Sequence, residues 1–290
     1  MAETALDRSV AGLQPWLDPV AEPLTAAVHQ AYDAAGDNGR ALKNVAHGVW
    51  LGHPLHPVFT DVPLGSWTTA MALDAAESVT GDTSYGRAAD LAIGVGLAGA
   101  VGAAITGLTD WSETDGRAKR LGLLHGLLNV SATSLYALSL GLRKSRARGA
   151  GRACSVAGLA IAGVAAYFGG RLVYGERIGV NHADEGGPDT FTPVMAAADV
   201  QAGRMRKGEA NGVSVMVARH HDRVCGLAEH CSHLGGPLSE GKLRKDSVVC
   251  PWHGSEFRLS DGQVINGPAT HPQPCFDVRE RDGQIEVKRS

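Results

Sequence analysis

CSHLGG (residues 231–236) and CPWHGS (residues 250–255) are the segments that decide the fold of the C-terminal part of this 290-residue chain. Each segment holds one cysteine and one histidine, which are Cys231, His233, Cys250 and His253. Sixteen residues separate the first pair from the second. Glycines near each pair let the backbone turn tightly. The pattern therefore predicts two tight loops that bring two thiolates and two imidazoles to one metal site.

These four side chains are compatible with two kinds of metal site. A [2Fe-2S] cluster with two thiolates on one iron and two imidazoles on the other needs two such loops. A Cys2His2 zinc site uses the same ligand types, but a zinc finger places its cysteines together, its histidines together and a helix after them. Each loop here holds one of each, which favours the cluster.

The residues around these loops have the pattern of a small antiparallel β domain. Short β-branched runs occur at 213–217, 247–250 and 285–288. Turn signals separate them at Asn211-Gly212, Asp261-Gly262 and Asp282-Gly283. We expect this domain over residues 191–290, after a linker at 176–190 that is rich in Gly, Asp and Glu.

The HLGGPL and CPWHGS segments resemble the Rieske family, and the resemblance covers roughly the last hundred residues. Rieske proteins of respiratory bc complexes have an additional cysteine in each loop, and a disulfide joins the two loops. This sequence has Gly236 and Trp252 instead, as in the Rieske ferredoxins and the ferredoxin-like domains of oxygenase systems. The resemblance implies a ferredoxin-type domain, and the missing disulfide fits a reducing compartment, the cytoplasm.

The resemblance also implies how the cluster potential is tuned. The family places a serine after the second His-Gly and a tyrosine two residues further on, and both donate hydrogen bonds to sulfur. Ser255 is present here, whereas Phe257 occupies the tyrosine position. Such bonds stabilise the reduced cluster, so we expect a potential inside the Rieske range of about −150 to +300 mV rather than at either extreme.

The middle of the chain holds four apolar segments, each near the ~20 residues that cross a ~30 Å hydrocarbon core. They are Val58–Val79, Ala89–Leu108, Leu121–Leu142 and Ala153–Val173. We therefore predict an α + β two-domain fold, with a four-helix transmembrane bundle over residues 51–175 before the β domain. Residues 1–50 read as an N-terminal helical cap.

A soluble bundle rich in alanine and glycine is the alternative to the membrane domain. The last three segments lack the charged faces that such a bundle normally shows, whereas the first carries Asp61, Asp74 and Glu77 and is the weakest span. The second segment repeats small residues at Gly94, Ala98, Gly102 and Thr106, a spacing that lets helices approach closely in lipid. Both features favour the membrane.

The net charge and the N-terminal sequence bear on the partners and the cellular location that we expect. The net charge is −3, which gives no reason to expect a nucleic-acid partner. No cleaved export signal is visible, so we expect a multi-pass protein of the bacterial cell membrane. Four spans would put both termini on one side, and the positive-inside rule does not decide which side, because arginines and lysines occur at both ends.

Histidines cluster at the predicted membrane side that carries the C-terminal domain. A histidine in an apolar span is a functional candidate, and His56 or His53 with His125 would supply the two axial ligands of a haem b. Alternatively, these imidazoles hydrogen-bond to Asp61, Asp110, Asn129 or backbone and hold helices together. A different metal or a quinone site is also compatible with the pattern.

The HPLHPVFTDVPLG segment resembles an uncharacterised bacterial family of four-helix membrane domains, over residues 47–182. Together the two halves predict a membrane-anchored Rieske protein that transfers single electrons between a redox partner protein or a quinone and the membrane domain. The alternative is a redox or nitrosative-stress sensing module anchored in the membrane. A terminal oxygenase would need a further iron domain, for which the roughly forty residues after His253 leave no room.

Overall fold

The computed structural model describes residues 16–183, 186–220 and 223–290. The chain divides into two compact units, and each unit takes residues from two parts of the sequence. The helical unit comprises Met1–Gly39 and Leu55–Ile178, and the β unit comprises Arg40–Pro54 and Gly179–Ser290. The predicted cap at residues 1–50 thus contributes to both units, and residues 1–15 of it lie outside the described ranges.

Six α-helices precede the strands within the described ranges. They are α1 (Asp18–Asp33), α2 (Gly36–His47), α3 (His56–Thr80), α4 (Thr83–Ser112), α5 (Gly116–Lys144) and α6 (Arg148–Tyr174). In the helical unit, α3 packs along α4 and α5 packs along α6, and α4–α5 and α3–α6 contacts close a four-helix bundle. Helix α2 begins in the helical unit and continues into the β unit from Arg40.

Three of these helices, not four, are long and apolar enough to be candidate membrane spans: α4, α5 and α6. This corrects the sequence-based prediction of four apolar spans. Helix α3 forms as predicted and has 25 residues. It differs in composition, because Asp61, Asp74 and Glu77 interrupt its apolar residues.

Glycines of α4 allow α3 to approach closely. A Cβ at Gly99 or Gly102 would collide with Val62 or Phe59 of α3, and one at Gly96 would collide with the indole of Trp67. The sequence pattern named a partly different face, since a Cβ at Gly94 would meet nothing within 4 Å.

The β unit contains ten strands in its described residues. They are β1 (Thr192–Ala196), β2 (Met205–Ala210), β3 (Val213–His220), β4 (Arg223–Ala228), β5 (Lys242–Arg244), β6 (Ser247–Val249), β7 (Glu256–Arg258), β8 (Val264–Asn266), β9 (Cys275–Arg281) and β10 (Gln284–Arg289). One sheet has the order β1-β10-β9-β4-β3-β2 and the other has the order β5-β6-β7-β8. The strand pairs within these two sheets are antiparallel, which confirms the predicted class of this domain.

Candidate metal centre

The two Cys/His loops follow strands of different sheets and close in the same way. In the first loop, which follows β4, Gly235 N donates to Cys231 O at 2.8 Å and Cys231 N donates to Gly236 O at 2.9 Å. In the second, which connects β6 to β7, Gly254 N donates to Cys250 O at 3.2 Å and Cys250 N donates to Ser255 O at 2.8 Å. Gly235 and Gly254 have φ of 79° and 75°, a left-handed conformation that favours glycine.

The loops bring like side chains together as two pairs. Cys231 and Cys250 are buried, and a hydrogen bond joins their sulfur atoms. The ring centroids of His233 and His253 lie 5.0 Å apart. A Cβ at position 236 would lie 2.9 Å from the Cys250 Sγ and 3.0 Å from the Trp252 ring, so the site requires a glycine there.

Burial and neighbouring groups shift the pKa values of ligand side chains in this site. Burial, with the neighbouring His253 second, lowers the pKa of His233 to about 3, which keeps the imidazole neutral. Its Nδ1 atom is buried and has no hydrogen-bond partner in the protein, so a lone pair is available in the site. The hydrogen bond from Cys231, aided by the backbone N–H groups of Trp252 and His253, lowers the pKa of Cys250 and favours its thiolate. The same bond, with burial second, raises the pKa of Cys231, so in the protein alone the two thiols share one proton.

Two thiol groups beside two imidazoles fit a [2Fe-2S] cluster of the mixed-ligand type, in which each iron takes two protein ligands of one kind. Within the described residues, no three His, Cys, Asp or Glu side chains converge on one point as ligands of a single ion. The donor set is therefore two pairs, one of sulfur and one of nitrogen, contributed by two loops.

Ser255 lies fully buried behind the sulfur pair. Its Oγ accepts the backbone N–H of Ala269 at 3.0 Å, and a side-chain hydrogen bond joins it to Cys231. Phe257 is also fully buried, in the hydrophobic cluster that contains both cysteines. The two positions that the sequence predicts to tune the potential thus lie at the sulfur side of the site.

Sequence reasoning missed Gln273, a buried side chain that supports the first loop. Its Nε2 donates to the carbonyl oxygens of Ala228 (2.8 Å) and His230 (2.7 Å), and its Oε1 accepts the N–H of Ser232 (3.0 Å). It lies in a Pro-rich segment forty residues after the loop, as HPQPC. Nothing in that sequence signals a contact with the loop.

The helical unit contains the other candidate histidines. His56 Nδ1 donates to the carbonyl of Ala103 at 2.9 Å, and His125 Nδ1 donates to that of Ala165 at 2.8 Å. The two rings lie 6.4 Å apart, with an interplanar angle of 83°. The Asn129 Nδ2 lies 3.2 Å from the Nε2 of His125. His53, the predicted alternative to His56, is exposed and belongs to the β unit.

Two family models match the chain. Residues 190–277 match the model described as "Rieske [2Fe-2S] domain". Residues 52–182 match the model described as "Predicted membrane protein (DUF2231)". The Rieske match overlaps the predicted β domain, and the DUF2231 match overlaps the predicted membrane domain.

Several known proteins are similar to the β unit. Ferredoxin CarAc of Metapseudomonas resinovorans is 34% identical over 95 residues, which are 32% of this chain and 89% of the ferredoxin. The anthranilate 1,2-dioxygenase ferredoxin subunit of Burkholderia cepacia is 31% identical over 102 residues, 35% of this chain and 86% of the subunit. The cytochrome b6-f complex iron-sulfur subunit of Chlorobaculum tepidum is 32% identical over 94 residues, 32% of this chain and 51% of the subunit. Each likeness covers about a third of this chain.

Proposed function

Because this chain belongs to the Rieske [2Fe-2S] family and carries a DUF2231 domain before its Rieske domain, we propose that it is a membrane-anchored iron-sulfur protein that transfers single electrons. The observation that carries the proposal is the convergence of two cysteines and two histidines from the two loops. Cys231 and Cys250 would hold one iron, and His233 and His253 the other. When bound, the cluster supplies a carrier for one electron.

The protein's own groups prepare this site for electron transfer. Burial of both cysteines keeps water from the sulfur atoms, and the Ser255 hydroxyl supplies a hydrogen bond that stabilises added negative charge. Trp252 is 57% exposed, and its ring lies 6.4 Å from that of His253. The histidine side is therefore where we expect a partner to approach.

Replacing His233 or His253 by Ala tests the ligand assignment. We expect loss of the Rieske signal in electron paramagnetic resonance, because the second iron loses a ligand, while the protein remains in the membrane fraction. His220→Ala, which removes a histidine of strand β3 in the same domain, is the matched control and should keep the signal. A normal spectrum in either ligand variant would contradict the assignment.

The redox partner is proposed from the relatives. Similarity to ferredoxins and to a cytochrome complex subunit supports a partner protein, and a quinone is the alternative partner. A redox or nitrosative-stress sensor remains the second candidate function, which the paired, partly accessible histidines also support. Cycles of reduction by dithionite and reoxidation by a quinone analogue, with full recovery of the spectrum, favour electron transfer. A cluster that breaks down during such cycles favours the sensor.

We further propose His56 and His125 as ligands of a haem b in the membrane domain. The observation that supports haem is that one ring from α3 and one from α5 lie 6.4 Å apart. Both Nδ1 atoms donate to backbone carbonyls, which would orient the rings for ligation and would equally serve to hold the helices together. Protein made with ample haem should show a Soret band, and His125→Ala should remove it. His29→Ala, in the same unit, is the control. Absence of the band, or its full retention in the His125 variant, leaves these histidines a structural role.

The compartment of the Rieske domain is proposed as the cytoplasm. None of the five cysteines forms a disulfide, and Gly236 and Trp252 stand where disulfide-forming cysteines occur in bc-complex proteins. A domain that keeps its thiols reduced suits a compartment rich in thiol reductants.

A further inference from the structure

The second half of helix α2 belongs to the β unit, and Asn44 in this half-helix makes polar contacts with the strand residues. The Asn44 Nδ2 donates to the Asn266 Oδ1 at 3.0 Å and to the Ile265 carbonyl at 3.4 Å. Its Oδ1 accepts the N–H of Gly267 at 2.9 Å. One amide side chain therefore bonds the end of strand β8 and the residue after it.

The end of α2 and the residues just after it also pack directly on the backbone of Gly267. A Cβ at position 267 would lie 3.1 Å from the Cδ2 of His47 and 3.2 Å from the Cγ2 of Val49. His47 is 1% exposed. The side chains of His47 and Val49 thus occupy the space beside Gly267 and restrict movement of the segment that follows it.

That segment leads to the cluster site within two residues. Ala269 is buried, and its N–H donates to the Ser255 Oγ at 3.0 Å. A serine hydroxyl has one hydrogen to donate. Because Ala269 occupies a lone pair of the Ser255 oxygen, the hydroxyl hydrogen is free to point at the sulfur of Cys231, to which Ser255 is hydrogen-bonded.

We propose that Asn44 is a positioning residue for the iron-sulfur cluster: it holds the segment from Ile265 to Ala269, so that Ala269 keeps the Ser255 hydroxyl directed at a cysteine sulfur. The inference rests on the proposed function, because it concerns the same cluster. Asn44 lies outside the residues that match the Rieske family model. The chain before the membrane domain therefore contributes to the electronic properties of a cluster bound at the other end of the sequence.

The test compares midpoint potentials of the full chain in detergent. Asn44→Ala should lower the potential in the same direction as Ser255→Ala, because a weaker hydrogen bond to sulfur stabilises the reduced cluster less. The double variant should have the potential of Ser255→Ala alone, since both changes act on one bond. Leu42→Ala, an exposed position on the same helix, should leave the potential and the iron content unchanged.

Two results would overturn the proposal. One is a fully loaded Asn44→Ala protein with the wild-type potential, and the other is a double variant whose shift equals the sum of the single shifts. Asn44→Ser, which keeps a small polar side chain, is made in parallel in case the alanine variant does not fold.

Amide hydrogen exchange gives a readout that does not require the cluster. Exchange at Gly267 and Ala269 should be faster in the Asn44 variants than in the wild type or Leu42→Ala, and equal rates would contradict the proposal. A wild-type chain that binds no [2Fe-2S] cluster would instead contradict the proposed function. The exchange comparison would still decide whether Asn44 holds this segment.

Discussion

The ring of Phe257 is fully buried in strand β7, in the same cluster of side chains as Cys231 and Cys250. We expect Phe257→Tyr to raise the midpoint potential, because a phenol can donate a hydrogen bond to a cysteine sulfur. A net bond of ~1 kcal/mol that favours the reduced cluster corresponds to about 40 mV in a one-electron couple. Protein-film voltammetry measures the shift.

Phe191→Tyr is the matched control for this substitution. Phe191 packs under Arg279, whose Cζ lies 4.0 Å from the ring centroid, and it is not part of the cluster that contains the cysteines. The midpoint potential of the Phe191→Tyr variant should stay at the wild-type value. A Phe257→Tyr protein with an unchanged or lower potential would mean that the new hydroxyl does not reach the sulfur.

At the residue scale, the sequence predicts the site residues that lie close together along the chain. It does not predict the supporting residues whose contacts are with distant parts of the chain. The two Cys/His loops are recognisable because each pair lies within four residues of sequence and glycine marks each turn. Gln273 and Asn44 are single polar residues. Only the folded chain brings Gln273 to the first Cys/His loop and Asn44 to Gly267. No periodicity or motif distinguishes either residue from a solvated side chain.

At the scale of elements, the packing of α3 on α4 depends on which face of α4 carries glycine. The Trp67 and Tyr136 rings stack with centroids 4.1 Å apart, and Gly96 provides the space beside the indole. Gly96→Ala should lower the melting temperature of the detergent-solubilised protein, because overpacking a filled core costs roughly 1–3 kcal/mol. That exceeds the ~1 kcal/mol that alanine gains over glycine in a helix.

Gly94→Ala separates packing from helix propensity in this experiment. The two substitutions are identical and lie on the same helix, but a Cβ at Gly94 meets nothing within 4 Å. This variant should melt at or above the wild-type temperature. Equal melting temperatures of the Gly94 and Gly96 variants would contradict the proposed close approach at Gly96.

The helices themselves follow from the apolar segments of the sequence, whereas their contact faces do not. The predicted small-residue stripe at four-residue spacing included Gly102 and Thr106, which do lie towards the bundle, but also Ala98, which is exposed. A glycine-rich helix offers several stripes of small residues. The position of the large side chains on the neighbouring helix selects one of them.

At the scale of the whole molecule, residues 40–54 limit the ways in which the chain could cross a membrane. These residues share a compact unit with residues 179–290, so both segments must lie on one side. If α4, α5 and α6 each cross, the turn before α4 lies on the opposite side. We then predict that α3 crosses as well, although it is not among the three helices apolar enough to be candidate spans. Its 25 residues give a length of about 37 Å, against a core of ~30 Å.

The acidic residues near the end of α3 are compatible with such a crossing because arginines pair with them. Asp74 forms ion pairs with Arg143 and Arg152, and Glu77 forms ion pairs with Arg148 and Arg152. The Arg143 side chain is fully buried. These carboxylates make the sequence of α3 less apolar than a typical membrane span. In the folded bundle, the ion pairs with arginine neutralise their charge.

Labelling of single introduced cysteines in whole cells by a membrane-impermeant maleimide tests this topology. With the Rieske domain in the cytoplasm, Ser145→Cys, between α5 and α6, should react in intact cells. Trp50→Cys, before α3, and Ser290→Cys should react only after permeabilisation, because an even number of crossings returns the chain to the same side. The unsubstituted chain gives the background from its native cysteines. Reaction of Trp50→Cys but not of Ser290→Cys in intact cells would mean that α3 does not cross. If Trp50→Cys and Ser290→Cys react in intact cells and Ser145→Cys reacts only after permeabilisation, the Rieske domain lies outside the cytoplasm.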